Sequence, residues 1–414
     1  MHGFAGCPGS NGRMGRALIG AFALAALLSG PLTAANPSSR QLLYVLDTDG
    51  SKPFSQDHLL VVDPERKVVV RRYEGLGTGF DFALSPDGTR LYLGRSIEST
   101  NGENLGKLDV IDAATGAVLA TADNPDRYLT MGPYRGSQMA LSSDGRWLYV
   151  HKFKFEPGHG GTDQIAIFNT ADSRFLLEAI PLPKCSIATF VPWPDARALS
   201  VVCIGYDSLP QLRTVRFSEQ GAPAAEMRTE IPIAEENGRR RPAAVFVSGE
   251  NEVTVLMTDG MYARLNVESG RAVEKGQIAF LPPLTPPGWH PQIPGAENVP
   301  SLGRRVIGSI CQSQGKLYMT LSRTDRYMHA ADAIAVVDAK TLRQEAFFEL
   351  KSSFWNPWGS LFGALAVGND GKRLYLLGIN PKGGTIRILN LADGTQIDSV
   401  RGLGASLTAI IPTP

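Results

Sequence analysis

The chain has 414 residues, 43% of them hydrophobic, with 44 glycines and 28 prolines. Lys and Arg number 41 against 40 Asp and Glu, so no global field draws the protein toward nucleic acid or an anionic membrane. The apolar content supplies a large core, and the many turn residues point to an all-β chain.

The first segment reads as an address rather than as fold. Arg13 and Arg16 precede the apolar run Ala17–Gly30, and Thr33-Ala34-Ala35 fits a signal-peptidase site. Residues 1–35 are expected to be a signal peptide, and 36–414 an exported, periplasmic domain. The run is short for a membrane span and no later stretch approaches spanning length, so no membrane span is expected after cleavage.

Two motifs then recur along the chain. The first is a hairpin, "SPDGTRLYLG" at Ser85–Gly94, "SSDGRWLYV" at Ser142–Val150 and "GNDGKRLYLLG" at Gly368–Gly378. Each places Asp-Gly between alternating apolar residues, as a tight β-turn requires. The second is an apolar run, then Asp, Asn or Ser, then a short polar turn. It reads "VVDPERKVV" at Asp63, "VIDAATGAVL" at Asp112, "IFNTADSRFL" at Asn169 and "VRFSEQGAPA" at Ser218. It continues as "RLNVESGRAV" at Asn266, "VVDAKTLRQE" at Asp338 and "ILNLADGTQI" at Asn390. Seven copies about 55 residues apart match a repeat whose unit is four antiparallel strands. The Asp or Asn of each copy is the kind of side chain that caps a turn through its own backbone.

The architecture that follows is a seven-bladed β-propeller. Ahead of "LLYVLD" (Leu42–Asp47) there is no room for an inner strand, whereas the chain ends on "ASLTAIIPTP" (Ala405–Pro414), a strand with nothing after it. The C-terminal strand is expected to complete the first blade and close the ring, leaving no inner edge open.

Length variation collects in two connections of each unit, including Ile97–Lys107, Phe153–Thr162, Leu281–Gly303, Arg323–Asp332 and Ser352–Ser360. In a propeller these emerge on one face, and binding residues concentrate on such loops. Trp289, Tyr327 and Trp355, with Arg323 and Arg326, are the candidate partner contacts, because aromatic and Arg side chains anchor protein interfaces. The alternative is that the aromatics plug the central channel and the arginines are solvated.

Cys185 and Cys203 flank the hairpin "CSIATFVPWPDARALSVVC", whose midpoint falls at its Pro194-Asp195 turn. Near-opposed cysteines in an exported hairpin are expected to form a disulfide; two buried thiols are the alternative. Cys311, on an apolar inner strand, reads as a buried thiol. The six histidines are scattered; His151 and His159 alone are near enough to share a loop, a weak metal signal. No G-x-S-x-G elbow, haem-attachment motif or HExxH helix is present, so no catalytic, cofactor-binding or metal residue is assigned to this chain.

Four stretches carry a family resemblance: Lys107–Phe153, "IPLPKCS" with the cysteine hairpin that follows, "GWHPQIPG" after a Pro-rich insert, and Lys316–Leu350 with its "SRTDRYMHAADAIAVVDAKT" core. In these the chain resembles the heavy subunit of the tryptophan tryptophylquinone amine dehydrogenases, over most of its exported length. The resemblance implies an amine-dehydrogenase-like, seven-bladed propeller without a cofactor of its own, and a paired Cys…Cys in the hairpin. It also implies a small disulfide-rich light subunit bearing the quinone, oxidation of primary amines, and electron transfer to a blue-copper protein. The family's N-terminal arm has no counterpart before Gln41, and "GRSIESTNGENLGK" lacks the Phe that the family places at the substrate channel.

A second function class stays open: a non-enzymatic periplasmic propeller, for binding or assembly, that lacks a quinone partner. A lactonase-like propeller is a further alternative with no motif behind it. Pyrroloquinoline-quinone dehydrogenases carry a Trp at each "TG" turn, where "DAATGAVLA" has Val and Ala.

Overall fold

The computed structural model describes residues 41–47, 58–74, 81–98, 104–123, 139–156, 160–176, 179–204, 210–233, 241–280, 305–322, 331–350, 365–380, 383–404 and 407–413. The expected signal peptide, residues 1–35, lies outside them. The described residues form strands and turns without helix, and none of their segments is a helix able to cross a membrane.

The first blade holds β1 (Leu43–Asp47), β2 (His58–Asp63) and β3 (Val68–Tyr73). The second holds β4 (Phe82–Leu84), β5 (Arg90–Glu98), β6 (Asn104–Asp112) and β7 (Val118–Asp123). In the third, β8 (Met139–Leu141), β9 (Trp147–Glu156) and β10 (Gly160–Asn169) are followed by an outer strand split into β11 (Arg174–Phe175) and β12 (Ile180–Pro181), both paired to β10. Pro181 is tolerated there because an edge strand has a side that needs no N–H donor. The fourth blade is β13 (Ser186–Pro192), β14 (Ala198–Ile204), β15 (Gln211–Phe217) and β16 (Pro223–Glu230). The fifth is β17 (Pro242–Gly249), β18 (Glu252–Met257), β19 (Met261–Asn266) and β20 (Arg271–Gln277). The sixth is β21 (Arg305–Ser313), β22 (Lys316–Ser322), β23 (Ala333–Asp338) and β24 (Gln344–Glu349). The seventh is β25 (Leu365–Val367), β26 (Arg373–Asn380), β27 (Gly383–Asn390) and β28 (Gln396–Arg401).

The last strand, β29 (Leu407–Pro412), joins the first blade in the order β29-β1-β2-β3. Val45 pairs with Ile410 and Tyr44 with Ile411, and Thr413 N–H donates to Leu42 O at 2.8 Å. The protein is therefore a seven-bladed β-propeller closed by its C-terminal strand. Successive inner strands touch, β4 with β8, β8 with β13, and so on through β17, β21 and β25 to β29.

Each blade is sandwiched between two others, so its inner and middle strands are apolar on both faces, as "HLLVVD" and "AIAVVD" show. The core accordingly divides into seven clusters, one per seam; Leu60, Tyr375, Ile386 and Ile410, for instance, join blades 7 and 1. Outer strands are the wet ones, as the exposed residues of β16 and β20 illustrate.

The repeated polar residue ends the third strand of each blade or, for Ser218, directly follows it. Asp63, Asp112, Asn169, Ser218, Asn266, Asp338 and Asn390 each accept backbone N–H groups from the turn that follows, at 2.6–3.3 Å. The other turn, between the first and second strands, has a fourth copy that the sequence disguises. Trp193 N–H donates to Ala198 O at 2.9 Å, as Ser85 does to Arg90 and Ser142 to Trp147. Ala196 stands where the siblings have Gly88, Gly145 and Gly371, and adopts their left-handed backbone at φ 58°.

Cys185 and Cys203 are bonded, with Cα atoms 4.9 Å apart. They are not directly opposed: Cys203 pairs with Ile187, so Cys185 meets it on the diagonal, next to a bulge between Ile187 and Thr189. The expectation of a Cys311 thiol is corrected. Cys311 is fully buried on β21 and disulfide-bonded, its partner lying outside the described residues.

Candidate functional site

The long connections run from the second strand to the third and from the fourth to the next blade, so they leave from one face. The candidate contacts Trp289, Arg323, Arg326, Tyr327 and Trp355 lie outside the described residues. The strand ends that carry that face are described, and they differ from the sequence reading in two places. The Phe153–Thr162 and Ile97–Lys107 connections are largely strand: β9 pairs with β10 out to Glu156 and Gly160, and β5 with β6 out to Glu98 and Asn104. Both hairpins extend past the apolar core pattern, which is why they read as loops.

At the rim of blades 2 and 3, Asp81 stands one residue ahead of β4. Its carboxylate accepts N–H donors from Phe82 and, across the seam, from Met139 at the start of β8, both at 2.8 Å. Gly94 N–H donates to Asp81 O at 3.0 Å. A Cβ on Gly94 of β5 would come within 2.6 Å of Met139 Cε, so glycine lets β8 of blade 3 approach the second strand of blade 2. Burial pushes the Asp81 carboxyl up to about 7, against the lowering effect of its two backbone donors.

Between blades 3 and 4, Asp163 plays a similar bridging part. One oxygen accepts Ile187 N–H of β13 at 2.7 Å; the other lies 3.1 Å from His151 Nε2. Both side chains are buried, and His151 Nδ1 has no hydrogen-bond partner among the described residues. His151 therefore sits on β9 facing a carboxylate, and His159 lies outside the described residues. Alongside, Arg213 of β15 donates from Nη2 to Pro183 O at 2.8 Å, just ahead of the Cys185–Cys203 bridge. On blade 2, Arg95 Nη2 and Thr121 Oγ1 both donate to Asp109, at 2.9 and 2.7 Å.

This buried polar layer stitches strands and seams at the long-loop end. Sequence reasoning missed Asp81 and Asp163 because their partners are backbone groups of the next blade, which no local pattern encodes. Among the described residues no group of three or more His, Cys, Asp or Glu side chains is placed to hold a metal ion. What the arrangement provides is a stiff rim from which the long loops project.

No family model matches the chain, and no curated protein matches it. Solved structures do. The periplasmic gluconolactonase PpgL of Pseudomonas aeruginosa superposes with a TM-score of 0.59 at 14% identity, covering 90% of this chain and 99% of its own. A functionally unknown protein from Desulfotomaculum acetoxidans gives 0.56 at 11% identity, over 89% and 98%. The dihydro-heme d1 dehydrogenase NirN, in complex with DHE, gives 0.51 at 14% identity, over 93% and 77%. At these identities the likeness is one of fold, and none of the three is named as an amine dehydrogenase heavy chain.

Proposed function

We propose that the protein is the propeller subunit of a periplasmic quinoprotein amine dehydrogenase. In this reading a small, disulfide-rich light subunit carries tryptophan tryptophylquinone and oxidises primary amines to aldehyde and ammonia. Electrons pass on to a blue-copper protein. The propeller docks the light subunit on its long-loop face, with Trp289, Tyr327 and Trp355 as apolar anchors and Arg323 and Arg326 as charged partners. Export rests on residues 1–35.

The observation that carries the reading is the Cys185–Cys203 bridge, which occupies the hairpin where the family resemblance implies a cysteine pair. Two of the resembling stretches also cover runs of consecutive strands. Lys107–Phe153 spans β6 to β9, and Lys316–Leu350 spans β22 to β24. The test is co-elution. Wild-type protein from its native host is expected to elute with a small cysteine-rich chain, and the Trp289→Ala, Tyr327→Ala double variant without it. A wild-type propeller that elutes alone points to the non-enzymatic binding or assembly protein instead, and a double variant that keeps the small chain removes Trp289 and Tyr327 as its anchors.

A further inference from the structure

On the short-turn face, away from the long loops, the seam between blades 4 and 5 breaks the repeat. In blades 2 to 7 the residue that opens the second strand is paired with one at the end of the third. The pairs are Arg90 with Asp112, Trp147 with Asn169 and Ala198 with Arg216. They continue as Glu252 with Asn266, Lys316 with Asp338 and Arg373 with Asn390. Five of the opening side chains are long and one is a methyl group. Three of the long ones reach the next blade. Arg90 Nη1 donates to Thr170 O at 3.0 Å, the Trp147 ring packs on Gly221, and Arg373 Nη1 lies 3.4 Å from Glu65 Oε1. Ala198 is too short to do so, and a cavity of about 210 Å³ opens beside it between blades 4 and 5.

Blade 4 departs from its siblings twice more at this cavity. Trp193 takes the turn position of Ser85 and Ser142, and Arg216 takes the register position of the Asp or Asn cap, which blade 4 defers to Ser218. The indole is buried and held: Trp193 Nε1–H donates to Ser200 Oγ at 2.9 Å, and Ser200 Oγ lies 2.8 Å from Thr214 Oγ1. Trp193, Ala198 and Phe217 therefore give the cavity a fixed apolar wall.

Its charged lining is balanced. Asp195, Arg197 and Arg216 come from blade 4 and Glu250 from blade 5, all four exposed. Asp195 spends one oxygen on Arg197 N–H at 3.0 Å, and Arg216 Nη2 lies 3.7 Å from Glu268 Oε1. Among the described residues, the side chains of Arg197 and Glu250 have no hydrogen-bond or ion-pair partner. A simple anion here meets two carboxylates and a simple cation two guanidinium groups. A small zwitterion meets an opposite charge with each of its own.

We propose that this cavity binds a free α-amino acid with an apolar side chain. Its carboxylate faces Arg197 and Arg216, its ammonium group faces Glu250 and Asp195, and its side chain lies against Trp193 and Phe217. The site is on the face opposite the long loops, so it stands apart from the docking of a light subunit.

Isothermal titration calorimetry of the purified protein tests it with L-leucine, 4-methylpentanoate and 3-methylbutylamine. The three share one side chain and differ only in their charged groups. L-Leucine is expected to bind about tenfold or more tightly than either analogue. Arg197→Gln should weaken leucine binding by about the same factor while leaving the thermal midpoint unchanged, since the side chain is exposed and unpaired. Ala198→Arg, which installs the side chain that blades 2 and 7 carry at this position, should abolish binding. No binding at millimolar L-leucine overturns the proposal. So does equal affinity for the three compounds, or leucine binding that Arg197→Gln leaves unchanged.

Discussion

The carboxylate of Asp81 accepts the backbone N–H of Met139 at 2.8 Å, joining the inner strands of blades 2 and 3 at the rim of the ring. Burial raises this carboxyl from 3.8 to about 7, so between those values the native state holds a proton that the unfolded chain has lost. Native stability from this group is therefore highest in acid and falls as pH rises from about 4 through about 7. Asp81→Asn removes the titration but keeps one acceptor oxygen. Its thermal midpoint relative to wild type is expected to be lower or equal at pH 5 and to gain on wild type by pH 8. The swing is on the order of 2 kcal/mol after solvent screening. A difference in midpoint that does not change with pH would remove the assignment.

Ala196 occupies a left-handed turn position that glycine fills in three sibling blades. Ala196→Gly is expected to stabilise by about 1 kcal/mol, because the strain of a Cβ in that region outweighs the added freedom of the unfolded chain. Gly88→Ala should destabilise by a similar amount. Urea titration of both variants measures the sign directly.

Ring closure concentrates stability in β29. Ile410 is buried in the seam between blades 7 and 1, so Ile410→Ala is expected to cost about 2–5 kcal/mol. Ending the chain at Gly404 removes the inner strand of blade 1 and bares the edge of β1. That truncation is expected to yield aggregated or protease-sensitive protein; a truncated chain with wild-type melting behaviour contradicts the closure.

The Cys185–Cys203 bridge joins the first two strands of blade 4 across a separation of 18 residues. Replacing both by Ser is expected to cost about 3 kcal/mol in the chain-entropy picture, and slightly more or less as the buried Ser side chains settle. Peptide mapping without reductant should find the two cysteines linked. Separate alkylated peptides would show the bridge absent.

What could be read in the sequence was local. The seven caps from Asp63 to Asn390 were legible because an Asx-type turn is written within four residues. The role of β29 was legible because blade 1 lacked a strand and "LTAII" lacked a partner. The turn at Ala196 was not, since the glycine that marks it elsewhere is missing. The diagonal placement of Cys185 was not, because a bulge at Ile187–Thr189 shifts the register that hairpin symmetry implies. Nor were Asp81 and Asp163, which bond to backbone 58 and 24 residues away on neighbouring blades.

The role as a docking subunit stands or falls on what the native protein carries. Purified from its native host without a tag on the long-loop face, it is expected to bring with it a small cysteine-rich chain. The preparation should show quinone absorbance and reduce an artificial dye only when a primary amine is added. A colourless chain, alone and inert toward primary amines under the same conditions, would contradict the amine dehydrogenase reading.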